Sequence, residues 1–445
     1  MTLTTARDHL LAANEFPPLP SDWAVERFRF LFRESKERNG AQPIGDMLSV
    51  SEYRGVVPRD YDNEEQRRTD EELETYRVVR PKQLAVNTMW LNHLGLGVSE
   101  HLGHVSPAYA VYAISSRLEP RYVHHLLRSQ FYLKIYLRYL YGIRPNSFQI
   151  KANDWNSIPI IVPPIETQKA IADFLDRETA RIDQLIEKKQ RLVELLGERI
   201  KNLADMVASK VENAPLVPMR RVLKRIEQGW SPDCEARLAE TGEWGVLKVG
   251  CVNGWSFQPN EHKALPSGLS PRAELEIRDG DILMSRANSR ELVGSVAMVT
   301  DAPPRLLLCD KLYRLHFDDK KIDPRFAVVT LRSDKARRHY ERCSNGASAS
   351  MQNIGQEVVR TLLISLPSLH EQARLVAEFA DASEKATVAA NAVARSLSRI
   401  QEFRTALIAA AVTGQIDVAA HEKRGRTQAH LDDIDARPRR KGARA

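Results

Sequence analysis

Residues 158–176 read IPIIVPPIETQKAIADFLD, and residues 362–381 read LLISLPSLHEQARLVAEFAD. In each stretch a short apolar run is stopped by proline, a polar turn follows, and apolar residues then return every third or fourth position. Proline donates no backbone N–H and ends a strand. Glu166 and Gln168 in one stretch, and His370-Glu371-Gln372 in the other, suit the first turn of a helix, where backbone N–H groups lack partners. The two helix starts are one device used twice, 204 residues apart.

The same interval governs what precedes them. Tyr109 recurs as Tyr313, Pro120-Arg121-Tyr122 as Pro324-Arg325-Phe326, Arg128-Ser129 as Arg332-Ser333, Gly142 as Gly346, Ile150 as Ile354 and Pro163 as Pro367, each 204 residues on. One register held without a gap implies duplicated architecture.

After the first start, Ile171, Leu175, Ile182, Leu185, Leu192, Leu196, Ile200, Leu203 and Val207 recur at threes and fours with charged residues between, the pattern of a coiled-coil seam. No proline interrupts Glu166 to Lys210, so the helix extends roughly 65 Å at its usual rise. Gly197 weakens it by about 1 kcal/mol relative to alanine without breaking it. The second seam runs through Leu375, Val376, Phe379, Val393, Leu397, Ile400, Phe403, Leu407 and Ala411 and ends at Thr413-Gly414. An antiparallel pairing of the two helices is expected, with the globular segments at opposite ends of a rod; docking of the seams on a membrane or on partner helices is the competing account.

The segments before each helix read as α+β. Trp23, Val25, Phe28, Phe30 and Phe32 open one core, and Val217, Met219, Val222 and Leu223 the other. Val86-Asn87-Thr88-Met89 and Asp281-Ile282-Leu283-Met284-Ser285 are expected strands. The frameworks match and the loops differ, which is how two sites of one construction come to recognise different things.

The 445 residues, 43% hydrophobic, suffice for two or three domains. The four cysteines, Cys234, Cys251, Cys309 and Cys343, form no C-x-x-C pair, so neither a zinc ribbon nor a disulfide framework is indicated and a reducing, cytoplasmic setting is expected. No uncharged run reaches the ~18 residues of a bilayer span, so a soluble, unprocessed protein without a membrane partner is expected. The net charge of +7 permits a polyanionic partner. Part of it sits in Arg437-Pro438-Arg439-Arg440-Lys441-Gly442-Ala443-Arg444, expected to be disordered.

These residues resemble the specificity (S) subunits of type I restriction-modification systems. The resemblance is carried by the two helix starts, by Gly280-Asp281-Ile282-Leu283, by Leu19-Pro20-Ser21-Asp22-Trp23 and by the closing Leu407-x-x-Ala410-Ala411-Val412-Thr413-Gly414. Thr167 stands where the family carries Glu before Gln168, and Gln83-Leu84 is a weak counterpart of Asp281-Ile282. The resemblance implies an α+β protein with a pseudo-two-fold repeat: a first target recognition domain (1–164), a central helix (165–213), a second recognition domain (214–367), a C-terminal helix (368–416) and a basic, disordered tail (417–445). It implies a non-catalytic reader of a split double-stranded DNA target, one half-site per domain, with the helices setting the gap. Two modification (methyltransferase) subunits and restriction (translocase and nuclease) subunits would be its partners; S-adenosylmethionine, ATP and Mg would sit on those partners, and the chain itself would hold no cofactor or metal. A methyltransferase or nuclease with cryptic motifs, and a coiled-coil protein scaffold, remain the other readings.

Base readout calls for Arg, Asn or Gln on loops, and phosphate clamping for nearby Lys or Arg. In the second domain these are Arg286, Asn288 and Arg290 after one strand, and Asn345, Ser348 and Gln352 after Arg337 and Arg338. In the first they are Asn92 and His93, and Tyr141, Arg144, Asn146 and Gln149 after Lys134 and Arg138. Any one of these is equally a solvated surface side chain. Gly95-Leu96-Gly97 lacks the third glycine of a dinucleotide loop, where Glu100 stands. His93, His101, His104, His124 and His125 match no metal-ligand spacing. Val162-Pro163-Pro164-Ile165 lacks the Asn and the aromatic residue of an adenine methyltransferase, and no G-x-x-x-x-G-K-[ST] phosphate loop occurs.

Overall fold

Pro159–Val162 is a strand paired antiparallel with Ala24–Arg27, so the start of the first globular segment closes on its end. Leu363–Ser365 pairs with Leu216–Pro218 in the same way. Beyond their prolines both runs continue as the long helices Ile165–Ser209 and Leu369–Val412. The structure, a computed structural model, describes residues 16–51, 54–59, 70–142, 148–209, 214–348 and 351–436. The chain divides into two units, Met1–Gln190 with Ala394–Ala445, and Arg191–Val393. Each unit therefore owns the first half of one long helix and the last half of the other.

The first unit holds a four-stranded antiparallel sheet in the order Phe32–Ser35, Tyr109–Ile114, Leu84–Asn87, Leu96–Val98. The second repeats it with Leu223–Gln228, Leu312–Phe317, Ile282–Ser285 and Val296–Met298. Each unit adds a second sheet that contains one parallel pair. Two short helices follow the main sheet in both, Pro120–Leu127 and Gln130–Tyr139 in one, Pro324–Leu331 and Asp334–Cys343 in the other. The α+β repeat is thus carried by identical strand order, and the fold class expected from the sequence is observed.

Gln168 and Gln372 explain why the helix starts are alike. The Gln168 amide is fully buried; its Nε2 donates to the carbonyls of Pro163 at 2.8 Å and Arg117 at 3.0 Å, and its Oε1 accepts the Glu119 N–H at 2.8 Å. Gln372 makes the same three bonds, to Pro367, Lys321 and Asp323, at 2.8, 3.1 and 2.7 Å. One side chain thereby joins the stopped strand, the long helix and the N-terminus of a short helix that precedes both in the sequence. Thr167, which replaces the acidic residue beside it, is outside this set of bonds.

The interval of 204 is not constant. Strand pairing places Asn87 opposite Tyr109 and Ser285 opposite Leu312, so Tyr109 corresponds to Leu312 and not to Tyr313. The turn after the strand is the cause: Leu118 N–H bonds back to Ser115 O, whereas Ile322 N–H bonds back to Asp318 O, one residue further. From Pro120 and Pro324 onward the interval of 204 holds.

Within the first unit the helix halves run antiparallel. Arg404 is paired with Asp183, and Asp435 is bound by both Lys189 and Ser396, so positions rise on one helix as they fall on the other. Ile171, Phe174, Leu175 and Ile182 share a core with Ile400, Leu407 and Ala411. In the second unit Ala204 and Val207 share a core with Leu375 and Val376. The seam is not buried throughout: Leu192 is exposed, as is Phe30, which was expected in the core and instead lies under the Arg29 guanidinium. No helix among the described residues is long and apolar enough to cross a membrane.

The expected disordered tail is corrected for residues 418–436. They form the helices Val418–Lys423 and Arg426–Ala436, which bury Leu431 and Ile434 against the first unit. Gly414, at φ +69°, makes the turn into them over Pro20 and Trp23, and Arg177–Glu422 and Lys189–Asp435 ion pairs tie them to the first long helix. Residues 437–445 lie outside the described residues.

Candidate nucleic-acid interface

In the second unit the two nominated loops are one structure. Asn345–Ser348 and Met351–Asn353 form a hairpin, and Ala287–Asn288 adds a third strand to it, placing Asn288 opposite Gln352. Asn288 donates from Nδ2 to Asn253 Oδ1 at 2.8 Å, and its Oδ1 accepts the Ser289 N–H at 2.9 Å. Ser344 Oγ donates to Gln352 Oε1 at 3.2 Å. Asn345 and Arg290 are exposed, and Ser348 is placed by its backbone pairing with Met351. Arg286 anchors the sheet: its N–H donates to Lys311 O and its carbonyl accepts the Ile354 N–H, both at 2.9 Å. Its Nε is buried without a hydrogen-bond partner among the described residues.

The first unit presents a smaller hairpin, Leu140–Tyr141 paired with Gln149–Ile150, which sets Tyr141 opposite Gln149. Both are exposed, and the Lys151 ammonium lies 5.6 Å from the Tyr141 ring centroid. Arg144 and Asn146 lie outside the described residues. Lys134 and Arg138 are exposed one turn apart on the helix Gln130–Tyr139. That helix packs against the turn Leu91–His93, which holds Asn92 and His93. The strand expected over Val86–Met89 is Leu84–Asn87, so Thr88 and Met89 belong to the turn.

Arg337 was expected near phosphate and is used inside the unit. Its guanidinium donates to the carbonyls of Glu291 and Val293 and lies over the Tyr340 ring, and desolvation lowers its pKa. Arg338 is exposed and faces Asp334 at 3.4 Å. The repeated Arg128 and Arg332 are likewise structural. Arg128 donates to Leu94 O at 3.1 Å and Leu96 O at 2.6 Å. Arg332 donates to Val296 O and Gly254 O and stacks on Trp255, 4.0 Å from the ring centroid, and desolvation pulls its pKa down to about 9.

The glycine pair and the histidines have packing roles. A Cβ on Gly97 would lie 3.2 Å from Gly55 Cα, and one on Gly95 only 2.6 Å from Trp90 O. The His124 ring lies beside Gly55 and Gly97, and desolvation, helped by His125 and Arg128, pulls its pKa down to about 3. His125 bonds Asp176 at 2.7 Å. Among the described residues no group of three or more His, Cys, Asp or Glu is placed to hold a metal.

Gln83 and Asp281 turn out to be equivalent. Gln83 Oε1 accepts the Arg80 N–H at 2.9 Å, and Asp281 Oδ2 accepts the Arg278 N–H at 3.0 Å. Before them, Lys82 at φ 68° occupies the left-handed position that Gly280 holds at φ 91°. Asp281 also binds Arg314, which is buried and paired with Glu227 as well.

Sequence reasoning missed Asn253, Lys151 and the exposed pair Met89 and Trp90. Asn253 reaches the interface only through the fold, whereas Lys151 directly follows the strand Gln149–Ile150 and meets the Tyr141 ring through the pairing of that hairpin. Met89 carried a misleading signal, since an apolar residue after Val86 reads as more strand.

The specificity subunit of the type I restriction enzyme EcoEI from Escherichia coli is 30% identical to this chain over 161 residues, 36% of this chain and 27% of that protein. The StySPI specificity subunit from Salmonella potsdam is 26% identical over 315 residues, 67% of this chain and 66% of that protein. The chain thus spans 27% and 66% of these relatives' own lengths. No family model matches. A chain from a solved structure on complex assembly and conformational transition of the type I R-M system superposes with a TM-score of 0.62 at 17% identity, covering 90% of this chain and all of that one. In sequence this chain is a relative of the specificity subunits of type I restriction enzymes, and it shares its fold with a chain of the type I R-M system.

Proposed function

We propose that this chain is the DNA-recognition subunit of a type I restriction-modification complex, in which each unit reads one half of a split duplex target. The observation that carries this is the repeat itself. Two units share strand order, helix starts and buried glutamines, and differ at the hairpins that follow their paired helices. A shared framework with divergent polar hairpins is what two readings by one construction require. The chain is non-catalytic in this proposal. Modification subunits would bring S-adenosylmethionine and methylate adenine, restriction subunits would bring ATP- and Mg-dependent translocation and cleavage, and the long helices would set the spacing and hold the partners.

The test is to express the chain with its modification partner and map methyladenine across the host genome. The expected result is a split motif with a fixed gap. Asn288→Ala with Gln352→Ala should relax one half of it and leave the other intact. Loss or relaxation of both halves together would overturn the assignment of one unit to one half-site, and methylation without sequence preference would overturn recognition itself.

A further inference from the structure

The turn between Leu84–Asn87 and Leu96–Val98 is fixed at nearly every residue. Asn87 N–H donates to Gly95 O at 2.7 Å, Gly95 N–H to Trp90 O at 2.8 Å and Trp90 N–H to Asn87 O at 3.0 Å. Asn87 Oδ1 accepts the Met89 N–H at 3.2 Å. Leu94 sits in the left-handed region at φ 52°, Gly95 has no room for a Cβ, and Arg128 ties down the carbonyls of Leu94 and Leu96. A backbone this constrained holds its side chains in place, yet Met89 and Trp90 are 39% and 44% exposed. The Trp90 ring has the His93 ring beside it at 5.3 Å.

Two further observations say what this pair faces. The helix packed on the turn carries Lys134 and Arg138 exposed one turn apart, so the element beside the turn presents cations to solvent. In the second unit the strand that ends at Ser285 corresponds to the one that ends at Asn87, and the residues occupying the place of Met89 and Trp90 are Ala287 and Asn288, on the strand that joins the polar hairpin. The same place in the repeat thus carries a rigid apolar tip in one unit and a polar strand in the other.

We propose that Met89 and Trp90 form a wedge that inserts at a base step of duplex DNA, unstacking it within the half-site read by the first unit. Apolar side chains held on a rigid support are what local unstacking needs: the wedge replaces lost base stacking, and cations on the neighbouring helix can hold phosphates. The inference rests on the DNA-recognition reading and adds a mode of contact to it.

The test uses the full chain with its modification partner and duplexes carrying 2-aminopurine at successive steps of the mapped half-site. The unsubstituted complex should raise the fluorescence at one step at least twofold. Trp90→Ala should abolish that rise and weaken binding roughly tenfold, the scale of base–aromatic stacking, while leaving the slope of affinity against salt unchanged because no phosphate contact is lost. Trp90→Phe should restore most of both, and Met89→Ala should reduce the rise. Unchanged binding and fluorescence in Trp90→Ala would overturn the wedge while leaving recognition standing. So would a loss of affinity with a shallower salt slope, or loss of the modification partner on purification. Failure of the unsubstituted complex to prefer the mapped duplex over a scrambled one would overturn the recognition reading, and the wedge with it.

Discussion

Gln168 accepts the backbone N–H of Glu119 at 2.8 Å from a side chain with no solvent exposure, and in doing so locks the first turn of a long helix to the cap of a short one 49 residues earlier in the sequence. Its counterpart Gln372 does the same to Asp323 at 2.7 Å. Leaving a buried donor or acceptor unmade costs about 1–3 kcal/mol.

Gln168→Ala strands one N–H and two carbonyls and should destabilise the first unit by about 2–4 kcal/mol. Hydrogen exchange checks this residue by residue: the Glu119 amide should lose protection in Gln168→Ala while the Asp323 amide keeps it, and Gln372→Ala should reverse the pattern. Equal loss at both amides in either variant would contradict separate clamps.

Lys82 holds a backbone conformation that favours glycine, the residue its counterpart Gly280 supplies. Lys82→Gly should raise stability by up to about 1 kcal/mol after the entropy gained by the unfolded chain is deducted, and Gly280→Ala should lower it by about 1 kcal/mol. Denaturant midpoints at constant slope decide both.

His124 is held neutral because desolvation, with His125 and Arg128 adding to it, keeps its pKa at about 3 against an ordinary 6.5. Between those two values the unfolded chain binds the proton and the folded chain does not. Stability is therefore fully present above pH 6.5 and falls as the pH drops toward 3, by at most about 1.4 kcal/mol per pH unit. His124→Gln should flatten that part of the profile relative to the unsubstituted chain; superimposable slopes in the two proteins would remove His124 as the source.

A one-turn insertion after Leu192 adds about 5.4 Å of helix. On the proposed function, it should widen the unspecified gap in the methylated motif by one or two base pairs with both half-sites unchanged. An unaltered gap would sink the spacer role.

The repeat and its helix starts were legible because proline, glutamine and heptad spacing are local signals, and Gln168 and Gln372 stand in the same context twice. The slip between Tyr109 and Tyr313 was hidden because an extra residue in a turn changes no residue type that sequence comparison weighs. The hairpin nominated as two loops became one only through the pairing of Asn288 with Gln352, more than 60 residues apart. Arg337 was misread because a cation near a polar loop looks the same whether it meets phosphate or the carbonyls of Glu291 and Val293. The helices at 418–436 escaped because Leu431 and Ile434 are too few to give a seam of their own and take their order from the surface they cover.

The first unit includes residues 394–445, and this inverts the usual order in which a nascent protein matures. A ribosome that has just released residue 393 has supplied all of Arg191–Val393. The portion begun earlier still waits for Ile400, Leu407 and Leu431 to fill its interior. Stalled translation products ending there should resist protease across their second half and be cut across their first, so the oldest part of the polypeptide is the last to be finished.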